Sequence, residues 1–223
     1  MKAKESQNQC QFDDYNNNKY VLGPFSTHMV IDDPKHLVFM LSRYKFVSKM
    51  LDGKKRVVEI GCGDAVGMPI IAQTVDYVLG CDWEELLMDG NKERNKNLNC
   101  DFEVCDITKN GPNTIDGKFD AAFSLDVIEH IPNNIEHKYF ENIANSLTED
   151  GVFIVGTPNI TANIYATELS RIGHINLHSH KTLKEQMEKY FINCFSFSMN
   201  DEVVHTGYGP MAHYIFIMGV GLK

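Results

Sequence analysis

The sequence predicts an α/β fold with a doubly wound, mostly parallel sheet. From Arg56 onward, short apolar stretches alternate with stretches of helical periodicity, which is typical of parallel strands covered by helices. A turn with two glycines, Gly61 and Gly63, follows the first apolar stretch. The last two strand candidates, 193–199 and 213–220, have no helix between them and are expected to pair as a terminal antiparallel hairpin. The predicted sheet is therefore Rossmann-like and has seven strands.

Length and composition indicate one folded domain behind a polar N-terminal segment. The chain has 223 residues, of which 43% are apolar and 23% charged, and these are ordinary values for a globular domain. Residues 1–19 are rich in Gln, Asn and Asp and are predicted to form a flexible tail. We expect residues 20–223 to form a single domain, in which residues 20–52 supply a lid loop and a helix.

Local signals predict the order of the elements. Residues 20–31 are expected to be an ordered loop, and Asp33 with Pro34 begins a helix that ends near Gly53. The pattern from Thr182 to Glu185 has the form of a capping box and predicts a helix that runs to Phe191. Strands are expected at 56–60, 77–81, 101–104, 119–125, 151–157, 193–199 and 213–220, and further helices at about 65–75, 84–97 and 134–148.

Charge and cysteine content restrict the partners and the compartment. The net charge of −9 disfavours nucleic acid as a partner, because proteins that bind it usually present a basic face. No apolar run reaches the ~20 residues that span a bilayer. The six cysteines show no Cys-x-x-Cys spacing, which favours reduced thiols and a cytoplasmic location. The oligomeric state is left open.

The glycine turn is the strongest functional signal. Its glycines allow a ligand to approach the backbone closely. A dinucleotide fold places its third glycine three residues after the second, but here Gly67 comes one residue late. Glu59 adds a negative charge where a diphosphate would be disfavoured. The turn therefore suits a ligand with an ammonium group and no phosphate, which argues against a nicotinamide oxidoreductase.

Residues 57–67, Val-Val-Glu-Ile-Gly-Cys-Gly-Asp-Ala-Val-Gly, resemble the first motif of class I S-adenosylmethionine-dependent methyltransferases. Two later stretches, Asp126–His130 and Thr157–Asn159, are similar to those of the ubiquinone-biosynthesis O-methyltransferases. The resemblance implies S-adenosylmethionine as cofactor, S-adenosylhomocysteine as product and a small-molecule methyl acceptor. The residues of the first motif that it implies for cofactor binding are Glu59, Gly61, Cys62 and Gly63.

Two residues after the second strand are expected at the ribose. Asp82 follows the strand 77–81 and can accept both ribose hydroxyls, with a helix N-cap as the alternative role. Trp83 is expected to flank the adenine or the ribose, and simple packing is its alternative role.

The ends of the third and fourth strands are expected at the adenine and the methionine. In similar methyltransferases an acid at the position of Asp106 accepts the adenine amine, and a turn role before Thr108 is the alternative here. By the same resemblance, Cys105 and Ile107 would sandwich the adenine ring. The backbone of Leu125 would lie along the methionine part of the cofactor.

An acid and histidine set follows the fourth strand. Asp126, Glu129 and His130 stand at i, i+3 and i+4 and share one face of a helical turn. They could hold a divalent cation that acidifies an acceptor hydroxyl. The set resembles the ubiquinone-type enzymes and also the metal-dependent 2′-O-methyltransferases of small RNAs, which have Glu in place of Asp126. In the alternative, which we favour, both acids bind backbone amides and His130 packs over the loop.

Two long connections are expected to form the acceptor side. The connection 159–181 is long enough for a lid, and part of it, 161–169, is expected to be a short helix. His174 in this connection and His130 are the candidate catalytic residues, as a general base or a contact to the acceptor. The connection 200–212 is predicted to form another wall.

The sequence therefore predicts an enzyme that moves a methyl group to an O or N atom of a small molecule by in-line displacement. A metal-dependent RNA 2′-O-methyltransferase and a non-catalytic module that binds S-adenosylmethionine are the alternatives. Salt-sensitive binding of RNA would favour the former. An acceptor space filled by Phe25, Tyr165 or Tyr208 would favour the latter.

Overall fold

The computed structural model, which describes residues 2–17 and 19–223, contains an eight-stranded sheet. Its strands are β1 (Arg56–Ile60), β2 (Tyr77–Asp82), β3 (Cys100–Val104), β4 (Phe119–Leu125), β5 (Leu147–Pro158), β6 (Phe191–Asn200), β7 (Val203–His205) and β8 (Tyr214–Leu222). Their order in the sheet is β3-β2-β1-β4-β5-β8-β6-β7. Strands β1 to β5 pair in parallel, whereas β8 runs antiparallel to both β5 and β6.

The helices lie between the strands and before the sheet. They are α1 (Gln9–Asn17), α2 (Pro24–Asp32), α3 (Pro34–Met50), α4 (Met68–Ile71), α5 (Met88–Asn95), α6 (Glu136–Ser146), α7 (Glu168–Gly173) and α8 (His180–Met187). Short 3-10 turns also occur at Ser6–Asn8, Glu85–Leu87, Ile128–His130, Asn133–Ile135, Ile160–Tyr165 and Gly209–Met211.

Each face of the sheet has its own apolar core. Successive side chains of a strand point to opposite faces, and in β1 Val57 belongs to one buried cluster while Val58 and Ile60 belong to the other. The first cluster includes Tyr44 and Val47 of α3. The second is packed against α6 and α8. Helices on both faces confirm the predicted doubly wound architecture.

The strand predictions are confirmed apart from their count. Observed and predicted boundaries agree within a few residues, and β6 pairs with β8 as the expected antiparallel hairpin. The prediction of seven strands is wrong, because Val203–His205 adds an eighth strand on the outer edge of β6. Three residues inside a connection are too few to show a strand pattern. The connection 200–212 therefore contributes a short edge strand and a 3-10 turn.

Several helix predictions need correction. Residues 20–31 were expected as a loop, yet α2 begins at Pro24, because proline is favoured at the first helical position. The helix expected at 65–75 shrinks to α4, because Ala65 takes a left-handed conformation with φ 56° and keeps the preceding residues in the turn. In α8 the N-cap is Ser179 rather than Thr182, and the two residues form a reciprocal capping box.

The N-terminal segment contains more regular structure than its composition suggested. Helix α1 lies within the predicted tail, and none of its residues is buried. Across the part of the chain that the structure describes, no helix is both long and apolar enough to cross a membrane.

Candidate functional site

A cavity of about 1230 Å³ lies at the edge of the sheet where the parallel strands end. Residues at or just beyond the carboxyl ends of β1 to β5 line it, as expected for a ligand site in a doubly wound sheet. The predicted site residues that it brings together are Gly61, Cys62, Gly63, Asp82, Trp83, Cys105, Asp106, Ile107, Leu125, Asp126, Glu129, His130 and His174.

The glycine turn depends on the absence of side chains. Gly61 has φ 80°, a conformation that disfavours other residues, and a Cβ built on it would collide with the Val127 side chain. The N–H groups of Gly61 and Cys62 both donate to the Cys81 carbonyl, at 2.8 and 3.0 Å. Burial raises the pKa of the Cys62 thiol, so this group stays protonated and apolar. The turn is thus fixed to β2 and exposes backbone to the cavity.

Asp82 is held at the end of β2 by two backbone bonds, whereas the N-cap of the following 3-10 turn is Glu84, whose side chain accepts the N–H of Leu86. Oδ2 of Asp82 accepts the N–H of Gly63 at 2.8 Å, and its Oδ1 accepts the N–H of Glu84 at 3.0 Å. These bonds orient the carboxylate at the end of β2, and each oxygen keeps a further lone pair for a ligand. Trp83 beside it is 78% exposed, so its indole is not part of the core.

Asp106 lies in the cavity wall and also forms the turn considered as its alternative. Its Oδ1 accepts from the N–H and the hydroxyl of Thr108, and its Oδ2 pairs with Nζ of Lys109 at 2.9 Å. The hydrogen bond from the Thr108 side chain, followed by that from Lys109, holds the pKa of this carboxyl below its usual value. Its two sequence neighbours, Cys105 and Ile107, also line the cavity.

Glu59 is enclosed rather than set in the cavity wall. It is 1% exposed, and its Oε1 accepts the hydroxyl of Tyr44 at 2.7 Å. Its Oε2 is buried and has no partner among the described residues. Burial raises the pKa of Glu59 to about 8, and the charge of Asp82 adds to the rise. Glu59 therefore supports α3 through Tyr44, and its contact with a cofactor stays a prediction.

Asp64 connects the glycine turn to helix α2, which the sequence reasoning missed. Its buried Oδ2 accepts both the N–H and the hydroxyl of Ser26, at 2.7 and 2.8 Å. Phe25 and Met29 of the same helix then line the cavity. The adjacent Gly23 has no room for a side chain because a Cβ there would collide with Asp64. The acid directly after Gly63 was the one feature of the sequence that could have indicated this contact.

Asp126 forms an ion pair with Arg43 of helix α3, and both residues line the cavity. Asp126 takes a left-handed conformation with φ 57°, and its N–H donates to the Gly156 carbonyl at 3.0 Å. Its Oδ2 bonds Nη1 of Arg43 at 2.5 Å. Arg43 is 5% exposed, and its guanidinium lies over the ring of Tyr214 with 3.8 Å between Cζ and the centroid. Arg43 was also missed, because one basic residue in an amphipathic helix carries no sequence signal.

Glu129 is a fully buried acid with one free oxygen. Its Oε2 accepts the hydroxyl of Thr157 at 3.0 Å, and its Oε1 has no partner in the described ranges. Burial, followed by the charge of Asp126, raises the pKa of Glu129 to about 8. This carboxyl therefore keeps its proton to a higher pH than an exposed glutamate does.

The structure adds His174 to Glu129 and His130. One ligand atom from each of these three residues lies within 4.8 Å of the others, which is close enough to share a cation. Nδ1 of His130 bonds the Gly173 carbonyl at 2.9 Å, leaving Nε2 free, an arrangement common in metal-binding histidines. The predicted triad is corrected at Asp126, because Arg43 holds that carboxylate outside the cluster.

A buried polar network holds the His174 segment in place. The N–H of Asn176 donates to the Glu129 carbonyl at 3.1 Å, and its Nδ2 donates to Oε2 of Glu136 at 2.7 Å. Nε2 of His178 approaches the same oxygen at 3.2 Å. Burial opposes ionisation of Glu136, but the bonds from His178 and Asn176 outweigh it and lower its pKa. The long connection is therefore a fixed wall of the site.

Comparison with known proteins agrees with this geometry. Residues 57–151 match the family described as a methyltransferase domain. The chain is similar to the Ubiquinone biosynthesis O-methyltransferase of Glaesserella parasuis serovar 5 (strain SH0165), at 31% identity over 139 residues, which are 59% of this chain and 58% of that protein. It is also similar to the Probable 18S rRNA (guanine-N(7))-methyltransferase of Dictyostelium discoideum, at 29% identity over 108 residues, which are 44% of this chain and 37% of that protein. The chain thus spans less than two thirds of the length of either relative.

Solved structures share the fold. The N-methyltransferase NodS from Bradyrhizobium japonicum WM9, in complex with S-adenosyl-L-homocysteine, matches with a TM-score of 0.60 at 15% identity, over 85% of this chain and 89% of that chain. Residues 57–151 thus match a methyltransferase domain in sequence. The chain shares its fold with a methyltransferase whose structure contains S-adenosyl-L-homocysteine.

Proposed function

We propose that the chain transfers the methyl group of S-adenosylmethionine to an oxygen or nitrogen atom of a small-molecule acceptor. The size of the cavity carries this proposal. Pockets for a single small ligand usually measure about 300–1000 Å³, whereas this cavity has about 1230 Å³. It therefore has room for the cofactor and a second molecule together. The preference for oxygen over nitrogen rests on likeness to the ubiquinone-type relative alone.

The residues at the ends of β1 to β3 fit the cofactor. When bound, the cofactor supplies a methyl group on a positively charged sulfur, so the chain needs to bind, orient and exclude water. The glycine turn offers backbone without side chains, and Asp82 offers a fixed carboxylate for the ribose. Cys105 and Ile107 offer apolar surface for the adenine. We propose that Asp106 contacts the adenine edge in addition to its turn role.

Two histidines are suited to accept the proton of the acceptor. Burial, followed by the charge of His130, lowers the pKa of His174, so its imidazole is neutral near pH 7 and can act as a base. The rings of His130 and His174 are 5.1 Å apart and both line the cavity. We propose His174 as the base and His130 as its neighbour on the acceptor side.

A second version of the proposal places a divalent cation between these two histidines and Glu129. A carboxylate with a free oxygen and two imidazoles form a donor set that transition metals accept. Glu129, His130 and His174 would hold the cation, and it would supply a positive charge that acidifies an acceptor hydroxyl. The unpartnered Oε1 of buried Glu129 is the observation that favours it.

The two alternative functions are less well supported. Phe25 and Tyr165 stand at the rim with 51% and 85% of their surface exposed, and Tyr208 is 72% exposed, so none of them fills the acceptor space as a non-catalytic module would require. An RNA acceptor is consistent with the rRNA methyltransferase among the relatives, but the net charge of −9 opposes it.

The N-terminal elements and the location complete the proposal. We propose that residues 20–52 cover the cofactor as a lid within a single domain of residues 20–223, because α2 is bonded to the glycine turn through Asp64. A cytoplasmic location is part of the proposal, supported by six cysteines that are all free thiols.

Calorimetric titration with S-adenosylmethionine, S-adenosylhomocysteine and NAD tests the cofactor. We expect the two sulfur nucleosides to bind with Kd on the order of 1–100 μM and NAD to show no binding. Asp82→Ala is expected to abolish binding, whereas Asp89→Ala, an exposed acid of α5, leaves it unchanged. Binding of NAD alone would overturn the proposed function.

Titration with Mn²⁺ or Zn²⁺ tests the metal. We expect one cation per chain in the wild type and at least about tenfold weaker binding in Glu129→Gln, since one ligand is lost. Glu141→Gln is the matched control, because Glu141 is an exposed acid of α6 that stands outside the cluster. Equal binding by all three proteins would show that the cluster holds no metal.

A further inference from the structure

One wall of the cavity carries nitrogen-bearing and aromatic side chains that the proposed cofactor and base do not use. His36, Phe39 and Arg43 of α3 line the cavity, and their spacing of three and four residues places them on one face of the helix. His213, directly before β8, lines the cavity beside them. Its carbonyl accepts the N–H of Asn159, which fixes it at the end of β5.

The rings form a continuous aromatic surface. His36 stacks on Phe39 with centroids 4.8 Å apart and an interplanar angle of 21°. His213 meets Phe39 edge-on at 6.1 Å and 73°. Such a surface is suited to a flat ligand, because aromatic groups attract one another in offset and edge geometries.

The guanidinium of Arg43 ends this surface and has unused donors. Arginine carries five N–H donors, and the bond to Asp126 uses one of them. Nε is buried and has no partner in the described part of the chain. Arg43 is itself a lining residue of the cavity, and a further N–H of its guanidinium would stabilise an acceptor group from a ligand there. The Cζ atom lies 5.6 Å from the centroid of Phe39, so the charge adjoins the aromatic surface.

The two imidazoles add donors without adding charge. Burial, followed by the positive charge of Arg43, lowers the pKa of His36 and of His213. Each ring is therefore neutral near pH 7 and offers one N–H. Arg43 carries the positive charge of this wall and already pairs with Asp126, so the wall suits at most one further anionic group rather than a chain of phosphates.

We propose that this wall binds the methyl acceptor, and that the acceptor is a planar molecule bearing a carboxylate. The carboxylate lies at the guanidinium of Arg43, and the plane of the molecule lies against Phe39. A guanidinium fork matches the two oxygens of a carboxylate, which makes this pairing both strong and directional. The inference rests on the proposed function, since it assigns the substrate class of the same site.

Fluorine NMR with a matched pair of probes tests the inference. The probes are 4-fluorobenzoate and its neutral analogue 4-fluorobenzamide, each added to the full chain saturated with S-adenosylhomocysteine. We expect the benzoate to bind at least about tenfold more tightly than the benzamide, as for loss of one charge-assisted hydrogen-bonded pair. Inorganic phosphate is added as a competitor. Displacement of the benzoate by equimolar phosphate would overturn the preference for a planar carboxylate.

Variants of the wall make the test specific. Arg43→Lys keeps the charge but removes the fork, so we expect it to weaken the benzoate about tenfold and leave the benzamide unchanged. Phe39→Leu should weaken both probes alike. Lys45→Gln, an exposed position on the same helix, is the control that should change neither. Equal binding of benzoate by wild type and Arg43→Lys would overturn the inference. If Arg43→Lys fails to fold, unchanged binding of both probes by Phe39→Leu would overturn it.

The two proposals fail in different ways. Calorimetry with S-adenosylhomocysteine on the same protein samples reports the cofactor site alone. Normal cofactor binding without discrimination between the probes would overturn the acceptor inference and leave the proposed function standing. Absence of cofactor binding by the wild type would overturn both.

Discussion

Replacement of Gly61 by alanine is the sharpest test of how the cofactor turn is built. The residue has φ 80°, and a left-handed conformation costs other residues about 1–2 kcal/mol. The added Cβ would also collide with a Cγ2 methyl of Val127, and overpacking of this kind costs typically about 1–3 kcal/mol. We therefore expect the free energy of unfolding to fall by about 2–5 kcal/mol in Gly61→Ala, with loss of S-adenosylhomocysteine binding.

Two further variants separate the backbone cost from the collision. Gly53 has φ 78°, and a Cβ there would meet no atom within 4 Å, so Gly53→Ala carries the backbone cost alone, about 1–2 kcal/mol. Val127→Ala in the Gly61→Ala background should recover part of the loss, because the two side chains are coupled. Urea unfolding measures all four proteins. Equal losses for Gly61→Ala and Gly53→Ala, with no recovery in the double variant, would refute the steric reasoning.

Three other substitutions test the supports of the site. Asp64→Ala removes both bonds to Ser26, so hydrogen exchange of residues 24–32 should accelerate while the sheet is unchanged, and unaltered exchange would contradict the lid anchor. The pKa of Glu59 is raised to about 8 in the fold, so the fold holds a proton that the unfolded chain releases, and stability falls as pH rises from about 4.5 to about 8. Glu59→Gln should remove up to about 1.4 kcal/mol per pH unit of that slope in urea titrations at pH 5 to 8, and parallel slopes would contradict it. Glu136→Ala leaves His178 without its carboxylate and should cost about 1.5–3 kcal/mol, whereas a change near zero would show that the network is not structural.

The fold was predictable because its signals are local and repeated. Each parallel strand is a short apolar run, and the alternation of these runs with helices predicts a parallel, doubly wound sheet. The misses have equally local causes. Strand β7 has three residues and gains its bonds from β6, and α2 lies in a segment where Gly23 and Pro24 indicated a loop. Contacts with distant residues, such as that of Ser26 in α2 with Asp64, help to fix these segments, and such contacts are not visible in local sequence patterns.

The site residues also fall into those that local patterns predict and those that only distant contacts bring to the site. Residues of the glycine turn, Asp82 and the segment after Asp106 follow strands directly, so strand prediction alone brought them to one edge of the sheet. Arg43 comes from a helix far away in the sequence, and the pairing of Arg43 with Asp126 could not be read from spacing. For the same reason the sequence predicted Asp126 as the third member of the acid and histidine set. The third member is His174, which lies beyond β5 and reaches the cluster through the long connection.

The ion pair between Arg43 and Asp126 links the two halves of the site. Asp126 follows Leu125 at the end of β4, where the methionine part of the cofactor is expected, and Arg43 ends the aromatic wall proposed for the acceptor. A negative acceptor group at Arg43 would share the guanidinium with Asp126, so Asp126 would be less fully neutralised and would attract a positively charged sulfonium more strongly. Each event favours the other, because opposite charges are brought together in a site of low dielectric. Binding of a carboxylate acceptor should therefore strengthen binding of S-adenosylmethionine, which has the positive sulfur, more than binding of S-adenosylhomocysteine, which lacks it.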